Sequence, residues 1–401
     1  MLEIEIPYGA YWSTPFTRWQ GSLSHLHSLK FAAYVAKDAL KRREIDPMSF
    51  DFAALGMSVP QKGSFYGMPW LAGEMGVPNL TGPTISQACA TGVRLLQSVA
   101  STIREGDSQV ALAIAADRIS NGPHLYYPAP QGPGGTGDHE NWVLDSFNWD
   151  PYTGVNMVTT AENVAKEHGF TTEQQNELTL IRYAQYENAL KNDSAFLRRF
   201  MDLPFSVPDA RLRKEQTVLS GDEGIFPTTR EGLAKLKPVI EGGTVTFGGQ
   251  THPADGNAGI VLATSEKAKA LSRDPSIKIS VVSFGQARVK AAHMPAATIP
   301  AARRALQAAN LEVKDLAVIK THNPFAVNDL VLAKELGLSL ESFNDYGCSL
   351  VWGHPQSPMG LRAVIELAEM LAIKGGGHGL FVGCAAGDSA MAIVIKVEDR
   401  A

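Results

Sequence analysis

One supersecondary unit occurs twice in this 401-residue sequence, and the repeat restricts the possible folds more than any other feature. Gly92-Val93-Arg94 opens one predicted helix and Gly360-Leu361-Arg362 opens another, an offset of 360 − 92 = 268 positions. The same offset places Leu112 on Leu380 without a gap, each inside an unbroken apolar run typical of a central strand. The sequence therefore predicts a duplicated α/β fold rather than two unrelated domains.

The repeat extends toward the N-terminus. The apolar spacing of residues 23–42 predicts a helix, and residues 52–59 predict the strand that follows it. Ala39 in this helix matches Ala305 at an offset of 305 − 39 = 266 positions. A helix and a strand therefore precede the repeated unit in both halves.

The two copies differ in what joins their last two strands. In the second copy, the strand at 380–384 turns directly into the strand at 391–396. In the first copy the returning strand is at 259–263, so residues from about 121 to 245 are inserted between two strands of one sheet. We predict an N-terminal half at 1–120 plus 246–270, an inserted loop domain at 121–245 and a C-terminal half at 271–401.

The inserted segment has features of a ligand-binding region. It begins with a long Gly/Pro/aromatic stretch at 121–154, which we interpret as a functional or partner-contacting loop. Helices are predicted at 159–168 and 172–190, the second opened by a capping box of Thr172 and Gln175. The segment also concentrates basic side chains: Arg211, Arg213, Lys214, Arg230, Lys235 and Lys237. These form either an ordinary solvated surface or a site for a phosphate-bearing ligand.

Composition excludes several classes of function. The chain is 44% hydrophobic and 19% charged with a formal net charge of −5, values typical of a soluble globular protein and unfavourable for a nucleic-acid surface. It has neither an apolar run long enough to span a membrane nor a signal-peptide pattern, so we expect a cytoplasmic protein. Three widely spaced cysteines predict reduced thiols, with neither a disulfide framework nor a metal site.

One of these cysteines occupies a notable position. Cys89 lies in a turn of small residues, 85–92, that runs straight into a predicted helix. The positive end of a helix dipole favours a thiolate, the nucleophilic form of cysteine. The alternative interpretation is a small buried apolar side chain, which is the commoner role of a cysteine.

Three further turns place a reactive side chain among small residues at a predicted strand end. They carry His322, His354 and Cys384, and loops at strand ends are where α/β folds place ligands. The offset of 268 maps Cys89 onto Ser357, three residues after His354, so the two loops are expected to converge from opposite halves.

These motifs, in this order, resemble the thiolase family over nearly the whole chain. The Cys89 turn is similar to the thiolase nucleophile turn, and Cys384 falls at the position of the second thiolase cysteine. Four other segments add to the resemblance: Met157 to Ala165, Gly243-Thr244-Val245-Thr246, Asp255-Gly256 and Gly353-His354-Pro355. The resemblance implies a five-layer αβαβα duplicated fold with a loop domain inserted in the N-terminal half.

The resemblance also implies a reaction, acyl transfer by a ping-pong route. Cys89 would attack a thioester or ketone carbonyl, His354 would accept its proton, and Cys384 would move the proton at the carbon beside the second thioester. His322 and His354 would donate to the enolate oxygen. The backbone N–H groups of Cys89 and Ala386 would form a second oxyanion hole.

Coenzyme A is the implied carrier and co-substrate, and the resemblance implies no permanently bound cofactor and no metal. It assigns CoA contacts to Thr251, Met157, Phe325 and Arg230. It also implies a homo-oligomer, either a dimer or a dimer of dimers. Some divergent members of the family work with a small OB-fold partner protein.

The sequence departs from the common thiolase pattern around the expected pocket. His322-Asn323-Pro324-Phe325 stands where many short-chain thiolases have Asn-Glu-Ala-Phe, and Ala386 stands where glycine is usual. Residues 356–359, Gln-Ser-Pro-Met, replace the common Leu-Gly-Ala-Ser. These changes predict an acyl group other than plain acetyl, and a bulky or aromatic 3-oxoacyl-CoA, as in benzoylsuccinyl-CoA thiolase, is one alternative.

Two other functions remain open at this stage. A ketoacyl synthase uses a Cys-His-His set that Cys89, His322 and His354 would imitate, although Cys384 and the inserted domain argue against it. A non-catalytic thiolase-like scaffold subunit is the other alternative. Cleavage of a 3-oxoacyl-CoA by free CoA, or an acyl adduct on Cys89, distinguishes these functions from a thiolase.

Overall fold

The computed structural model describes residues 3–400, which form fifteen strands and twelve α-helices joined by short 3₁₀ turns. The strands are β1 Ile4–Glu5, β2 Tyr11–Ser13, β3 Thr17–Arg18, β4 Phe52–Gly56, β5 Thr84–Ile85, β6 Val110–Arg118, β7 His124–Tyr127, β8 Asp138–Asn141, β9 Phe205–Pro208, β10 Glu215–Leu219, β11 Ala254–Thr264, β12 Ile277–Arg288, β13 Leu316–His322, β14 Gly377–Ala385 and β15 Ser389–Asp399. The helices are α1 Ser28–Arg42, α2 Gly67–Met75, α3 Thr91–Glu105, α4 Leu144–Asn148, α5 Met157–His168, α6 Thr172–Ser194, α7 Arg230–Ala234, α8 Ser265–Leu271, α9 Thr298–Ala309, α10 Ala326–Leu336, α11 Ser349–Trp352 and α12 Ser357–Ile373.

The strand order shows the duplication directly. In the N-terminal half the order is β4-β6-β11-β1, and in the C-terminal half it is β13-β14-β15-β12. The first pair is parallel and the next two pairs are antiparallel in both halves. β1 also pairs with β12, which joins the two halves into one continuous sheet of eleven strands.

The pairing register between neighbouring strands is also the same in the two halves. Leu112 of β6 lies opposite Ala53 of β4, and Leu380 of β14 lies opposite Ile319 of β13. These partners differ by 319 − 53 = 266 positions, which is the offset that relates Ala39 to Ala305. The sequence repeat therefore corresponds to a structural repeat in which each strand keeps its neighbour.

Alternating residues on the central strands face two different helical layers. On β6, Ala111, Ala113 and Ala115 pack toward α3 and α12, whereas Leu112 and Ile114 pack toward α1 and α2. β14 and β15 alternate in the same way between the central helices and α9 and α10. The result is the predicted order of five layers, with α3 and α12 in the middle.

The two central helices touch at their first turns. A Cβ atom on Gly92 of α3 would lie 2.9 Å from the Cα atom of Gly360 of α12 and 2.8 Å from the amide nitrogen of Leu361. Contacts this short leave no room for a side chain. The glycines of the repeated motif are therefore needed for the close approach of the two halves.

α12 is buried along nearly its whole length, although it carries charged residues. Arg362 makes a bidentate ion pair with Asp222 and a further ion pair with Glu366, and all three side chains are fully buried. Charges inside such a helix are tolerated because each is paired. Within residues 3–400 no helix is both long and apolar enough to cross a bilayer.

The predicted insertion lies between β6 and β11, which are adjacent antiparallel strands. It folds into two hairpins, β7–β8 and β9–β10, and the helices α4 to α7. Although it belongs to the first half in sequence, it packs on the second half, where Arg182 of α6 forms a buried ion pair with Asp329 of α10 at 2.8 Å. It thereby connects the two halves a second time.

Several predicted boundaries were wrong. The helix expected at 23–42 begins at Ser28, because residues 21–26 form turns whose Leu23 and Leu26 are buried without being helical. The capping box of α6 uses Thr171 and Gln174, not Thr172 and Gln175, because Thr172 donates to the carbonyl of residue 244 instead. The stretch at 121–154, which we interpreted as a functional or partner-contacting loop, contains a hairpin and a helix.

The contact between α3 and α12 gives a stability prediction. Gly92→Ala forces a methyl group against the backbone of α12, so we expect the free energy of unfolding to fall by about 1–3 kcal/mol, as for other overpacked cores. The matched control is Gly73→Ala, at an exposed position inside α2 where an added Cβ meets nothing within 4 Å. That change should stabilise by about 0.5–1 kcal/mol. Urea denaturation measures both, and equal effects of the two substitutions would contradict the role of Gly92.

Candidate active site

The loop before α3 holds the predicted nucleophile in a tight turn. The Thr91 hydroxyl accepts a hydrogen bond from the Gln87 amide at 2.8 Å and donates to the Ala88 carbonyl at 2.6 Å. Ala88 adopts a φ of 45°, in the left-handed region that non-glycine residues seldom occupy. The turn therefore fixes Cys89 just before α3 and leaves the residue partly exposed.

Two histidines from the other half meet this cysteine. The Cys89 Sγ and ring nitrogens of His322 and His354 all lie within 4.8 Å of one another. The two imidazole rings are 4.3 Å apart between centroids. The structure thus brings together three of the residues that the sequence singled out, from loops that the duplication predicted would converge.

His354 lies in the site with an imidazole ring that makes no hydrogen bond to the described residues. Its backbone pairs with Pro253 in an isolated parallel bridge, which fixes the loop before α12 against the segment that leads into β11. Within the described residues neither ring nitrogen has a hydrogen-bond partner, and the residue is buried. Burial lowers the pKa of His354 to about 3, so the ring is neutral at physiological pH and its free nitrogen can accept a proton.

His322 ends β13 and is held from one side. Its Nδ1 lies 2.7 Å from the Ser349 hydroxyl, and its Nε2 has no hydrogen-bond partner in residues 3–400. Burial and the neighbouring His354 lower the pKa of His322 well below its ordinary value. A second neutral imidazole therefore faces the same space as His354.

Cys384 is fully buried near the end of β14, next to β13. The Asn328 amide donates to its Sγ at 3.1 Å. Burial, and then the nearby Cys89, raise the pKa of Cys384 well above its ordinary value. The second thiol is accordingly a neutral acid held by a side-chain donor.

The expectation of a thiolate at Cys89 was wrong. Burial raises the pKa of the Cys89 thiol to about 12, although hydrogen bonds from the backbone N–H groups of Ala386 and of Cys89 itself act in the opposite direction. Desolvation of the anion exceeds the effect of the helix terminus here. In the free protein, the nucleophile is a thiol that requires a base.

Ala386 occupies its turn without strain. It lies outside the left-handed region, which is occupied instead by Gly387 at a φ of 79° and Asp388 at a φ of 56°. An alanine is therefore compatible with the backbone where glycine is usual. Its backbone N–H lies close enough to the Cys89 thiol to lower the pKa of that thiol, so it is a candidate donor to an oxyanion formed at Cys89.

Glu162 and Asn323, which belong to two of the sequence motifs, have structural partners. The Glu162 carboxylate accepts hydrogen bonds from the backbone amides of Thr244 and Val245, at 2.7–2.9 Å, so the two motifs that contain these residues hold each other in place. The Asn323 amide donates to Asp329 at 2.6 Å. These residues shape the site without facing it.

The residues assigned to CoA lie around the site but in different environments. Thr251 donates its hydroxyl to the Ser349 carbonyl, and Phe325 is buried as the N-cap of α10. Met157 opens α5 and is partly exposed, whereas Arg230 opens α7 and pairs with Glu177 on the surface. Thr251 and Phe325 lie on paired segments, and Phe325 and Met157 belong to one apolar cluster.

The sequence prediction missed four residues of the site. Gln356 accepts a hydrogen bond from the Cys89 thiol at 3.3 Å, Ser349 contacts His322, and Asn328 contacts Cys384. His252 lies against Gly353, with its Nε2 buried and unpaired. The sequence pointed to Gln356 only as part of the change at 356–359 around the expected pocket and gave it no individual role; the others carry no local signal.

One cysteine and two histidines within 4.8 Å are also a ligand set that zinc uses. The spacing of these residues in sequence gave no sign of such a cluster, because it is assembled from three separate loops. A bound metal would occupy the lone pairs that a nucleophile and a base need. The absence of a metal therefore remains a prediction.

Two protein-family models match this chain along most of its length. A family model described as the thiolase N-terminal domain matches residues 10–266, and one described as the thiolase C-terminal domain matches residues 276–397. The acetyl-CoA acetyltransferase of Allochromatium vinosum is 28% identical, over 94% of this chain and 95% of that protein.

Two solved structures have a similar fold over nearly the whole chain. The acetyl-CoA acetyltransferase of Bacillus anthracis superposes with a TM-score of 0.90 at 27% identity, covering 99% of both chains. Human mitochondrial 3-ketoacyl-CoA thiolase in complex with CoA gives 0.88 at 24% identity, over 98% of both chains, which shows a shared fold.

The raised pKa of Cys89 predicts a pH dependence of alkylation. Because the reactive thiolate is a small fraction below pH 12, the iodoacetamide rate should rise about tenfold per pH unit from pH 6 to 9. Mass spectrometry should locate the label on Cys89, and Cys89→Ser should remove it. A plateau below pH 9 would show a stabilised thiolate, and acceleration by EDTA would show a bound metal.

Proposed function

Because the chain belongs to the thiolase family, we propose that it is an acyltransferase that cleaves a 3-oxoacyl-CoA with CoA, or forms one by the reverse Claisen condensation. The observation that carries this proposal is the position of Cys89. Its Sγ and one nitrogen from each of the neutral His322 and His354 rings lie within 4.8 Å of one another, and the Ala386 amide is close enough to lower the pKa of the thiol. A nucleophile, a base and an oxyanion donor thus converge on one atom.

In the first half-reaction, the neutral His354 ring accepts the Cys89 proton while Sγ attacks the 3-oxo carbon. The tetrahedral oxyanion lies between the backbone N–H groups of Cys89 and Ala386. The bond between C2 and C3 then breaks, and the acyl group remains on Cys89 as a thioester. The electron pair of that bond forms the enolate of the departing acyl-CoA.

Cys384 then protonates C2 of the enolate. The enolate oxygen needs donors, and we assign this role to His322 and His354. The Ser349 hydroxyl carries one proton and lies 2.7 Å from Nδ1 of His322 and 3.2 Å from Oδ1 of Asn323; its donation to Nδ1 would leave the imidazole proton on Nε2, which faces the site. Incoming CoA returns a proton to Cys384, and the CoA thiolate then takes the acyl group from Cys89. Cys89 leaves as a thiolate and recovers the proton held by His354.

CoA binding by the inserted domain is also part of the proposal. α7 packs on the loop that leads to Thr251, since a Cβ on Gly248 would meet Leu233 at 2.4 Å. Phe247, 74% exposed, lies on this loop, and Arg230, Lys235 and Lys237 lie on or just after α7. Exposed apolar surface beside cations suits pantetheine and phosphate groups, and we keep Met157 and Phe325 as further candidate contacts.

We further propose that the protein forms a homo-oligomer. β5 is an edge strand of the large sheet and directly precedes the nucleophile turn, with Thr84 and Ser86 exposed. Unprotected edges of this kind are usually covered. A second copy of the chain would cover this one and enclose the loop that carries Cys89.

The comparisons give no support to a ketoacyl synthase, an aromatic-specific enzyme or a scaffold subunit. A thiolysis screen across acetoacetyl-CoA, long-chain and aromatic 3-oxoacyl-CoA esters identifies the acyl group. Turnover that requires an acyl carrier protein, and fails with free CoA, would contradict the proposal.

Substitution of the cysteines separates the two half-reactions. Cys89→Ala should form no acyl adduct from acetyl-CoA and should lose thiolysis of acetoacetyl-CoA by at least about 10³-fold. Cys384→Ala should still form the adduct but lose thiolysis to a similar extent, because only C2 protonation is removed. The control is Cys348→Ala, since Cys348 is equally buried but lies outside the cluster. Intact-mass measurement and absorbance at the enolate band provide the two readouts, and an adduct on Cys89→Ala would refute the assignment.

The Ala386 amide can be removed selectively. Ala386→Pro deletes the N–H group at a position where no helix or strand uses it, and we expect kcat to fall about 10²-fold or more. Ala386→Gly keeps the amide and should retain kcat within a small factor. The proline variant should also alkylate more slowly at Cys89, because the Ala386 amide lowers the pKa of that thiol. An unchanged urea midpoint in both variants would show an intact fold. Equal kcat values for the proline and glycine variants would exclude Ala386 as an oxyanion donor.

A further inference from the structure

Gln356 is the only side chain in the described residues that hydrogen-bonds to the nucleophilic sulfur. Its Oε1 accepts from Cys89 Sγ at 3.3 Å, across the interface between the two halves. The residue is only 5% exposed, so its carboxamide is confined to the site rather than directed at bulk water. A polar group in this position requires an explanation.

The loop fixes the carboxamide firmly. Gln356 is the N-cap of α12 and adopts a φ of 63°. The next residue, Ser357, donates its amide to Asp117 at 3.0 Å and its hydroxyl to the Gly56 carbonyl at 3.0 Å. Two residues before Gln356, the backbone of His354 is held by its bridge to Pro253. The side chain therefore projects from a backbone that is anchored on both sides.

The Gln356 carboxamide makes fewer hydrogen bonds than it can, and formation of the acyl-enzyme removes one more. Nε2 makes no hydrogen bond to any residue from 3 to 400, and Oε1 has only the Cys89 thiol as a donor. Once Cys89 becomes a thioester, that donor is lost. Leaving a confined polar group unpaired costs about 1–3 kcal/mol, unless the acyl group itself supplies a partner.

We propose that Gln356 determines specificity by selecting acyl groups with a hydrogen-bonding substituent, such as a hydroxyl, on the first carbons beyond the carbonyl. This inference rests on the proposed acyl-enzyme. Because Oε1 lies 3.3 Å from Sγ, only the carbons nearest the thioester come within its reach. A hydroxyl there can donate to Oε1 and accept from Nε2, whereas a methyl group of the same size satisfies neither atom.

The test measures acyl transfer from acyl-CoA to Cys89 by quenched-flow and intact-mass spectrometry on the full-length protein. Two pairs of probes differ only by hydroxyl in place of methyl. They are 3-hydroxypropionyl-CoA against butyryl-CoA, and 2-hydroxypropionyl-CoA against 2-methylpropionyl-CoA. We expect the native protein to favour the hydroxyl member of at least one pair by about tenfold or more. Rates that are equal, or that favour methyl, in both pairs would overturn the inference.

The variant that tests the residue is Gln356→Met, which keeps the unbranched shape and removes the carboxamide. Its preference for the hydroxyl member should fall to about one or reverse, while acetylation by acetyl-CoA persists. The matched control is Gln87→Leu, because Gln87 lies two residues before Cys89 but bonds to Arg94 instead of Sγ. A preference that survives Gln356→Met, or that Gln87→Leu abolishes equally, would overturn the assignment.

The outcomes separate this inference from the proposed function. No adduct on Cys89 from any acyl-CoA, acetyl-CoA included, would refute both. Adducts from acetyl-CoA and butyryl-CoA without a hydroxyl preference would refute only the role of Gln356. If Gln356→Met does not fold, Gln356→Leu takes its place, and the comparison of probes on the native protein remains decisive.

Discussion

The close approach of α3 and α12 at their first turns determines the geometry of the whole site. Because Gly92 and Gly360 have no side chains, the helices meet backbone to backbone, and the loops that precede them are forced together. One loop carries Cys89 and the other carries His354. β13 and β14 are parallel neighbours, so the loops at their carboxyl ends deliver the second imidazole and the second thiol to the same place. The packing that closes the central layer thus also assembles the catalytic groups.

Burial then sets the protonation states of these groups through a single physical cause. Desolvation disfavours the charged form of every group, so it raises the pKa of Cys89 and Cys384 and lowers that of His322 and His354. The free protein consequently holds neutral thiols and neutral imidazoles rather than an ion pair. Chemistry in such a site depends on transferring protons between neighbours, and charge appears only when an oxyanion or enolate arrives opposite the fixed N–H donors.

The five layers were predicted from the resemblance to thiolases, whereas the repeat alone predicted the duplicated α/β fold, the insertion and the convergence of Cys89 with His354. It could not predict the thiol pKa. A helix terminus contributes about 0.3–1 kcal/mol, whereas a pKa raised from 9.0 to about 12 corresponds to about 4 kcal/mol of lost anion stability. Nor could it find Ser349 or His252, because their contacts join segments far apart in sequence. Local sequence patterns predict which helices and strands form, whereas contacts between segments far apart in sequence determine which side chains lie together.

The duplication also explains how the side chain of Gln356 can determine acyl specificity while the backbone of its loop is unchanged. At the offset of 268, Gln356 corresponds to Ala88 (356 − 268 = 88), and both residues have a positive φ, 63° and 45°. The left-handed turn is therefore a property of the repeated loop rather than of either side chain. In one half the turn presents Cys89, and in the other it presents Ser357, which fastens the loop to the N-terminal half. Because the shared backbone does not depend on the side chain at 356, that residue can change with the acyl group while the nucleophile turn stays the same.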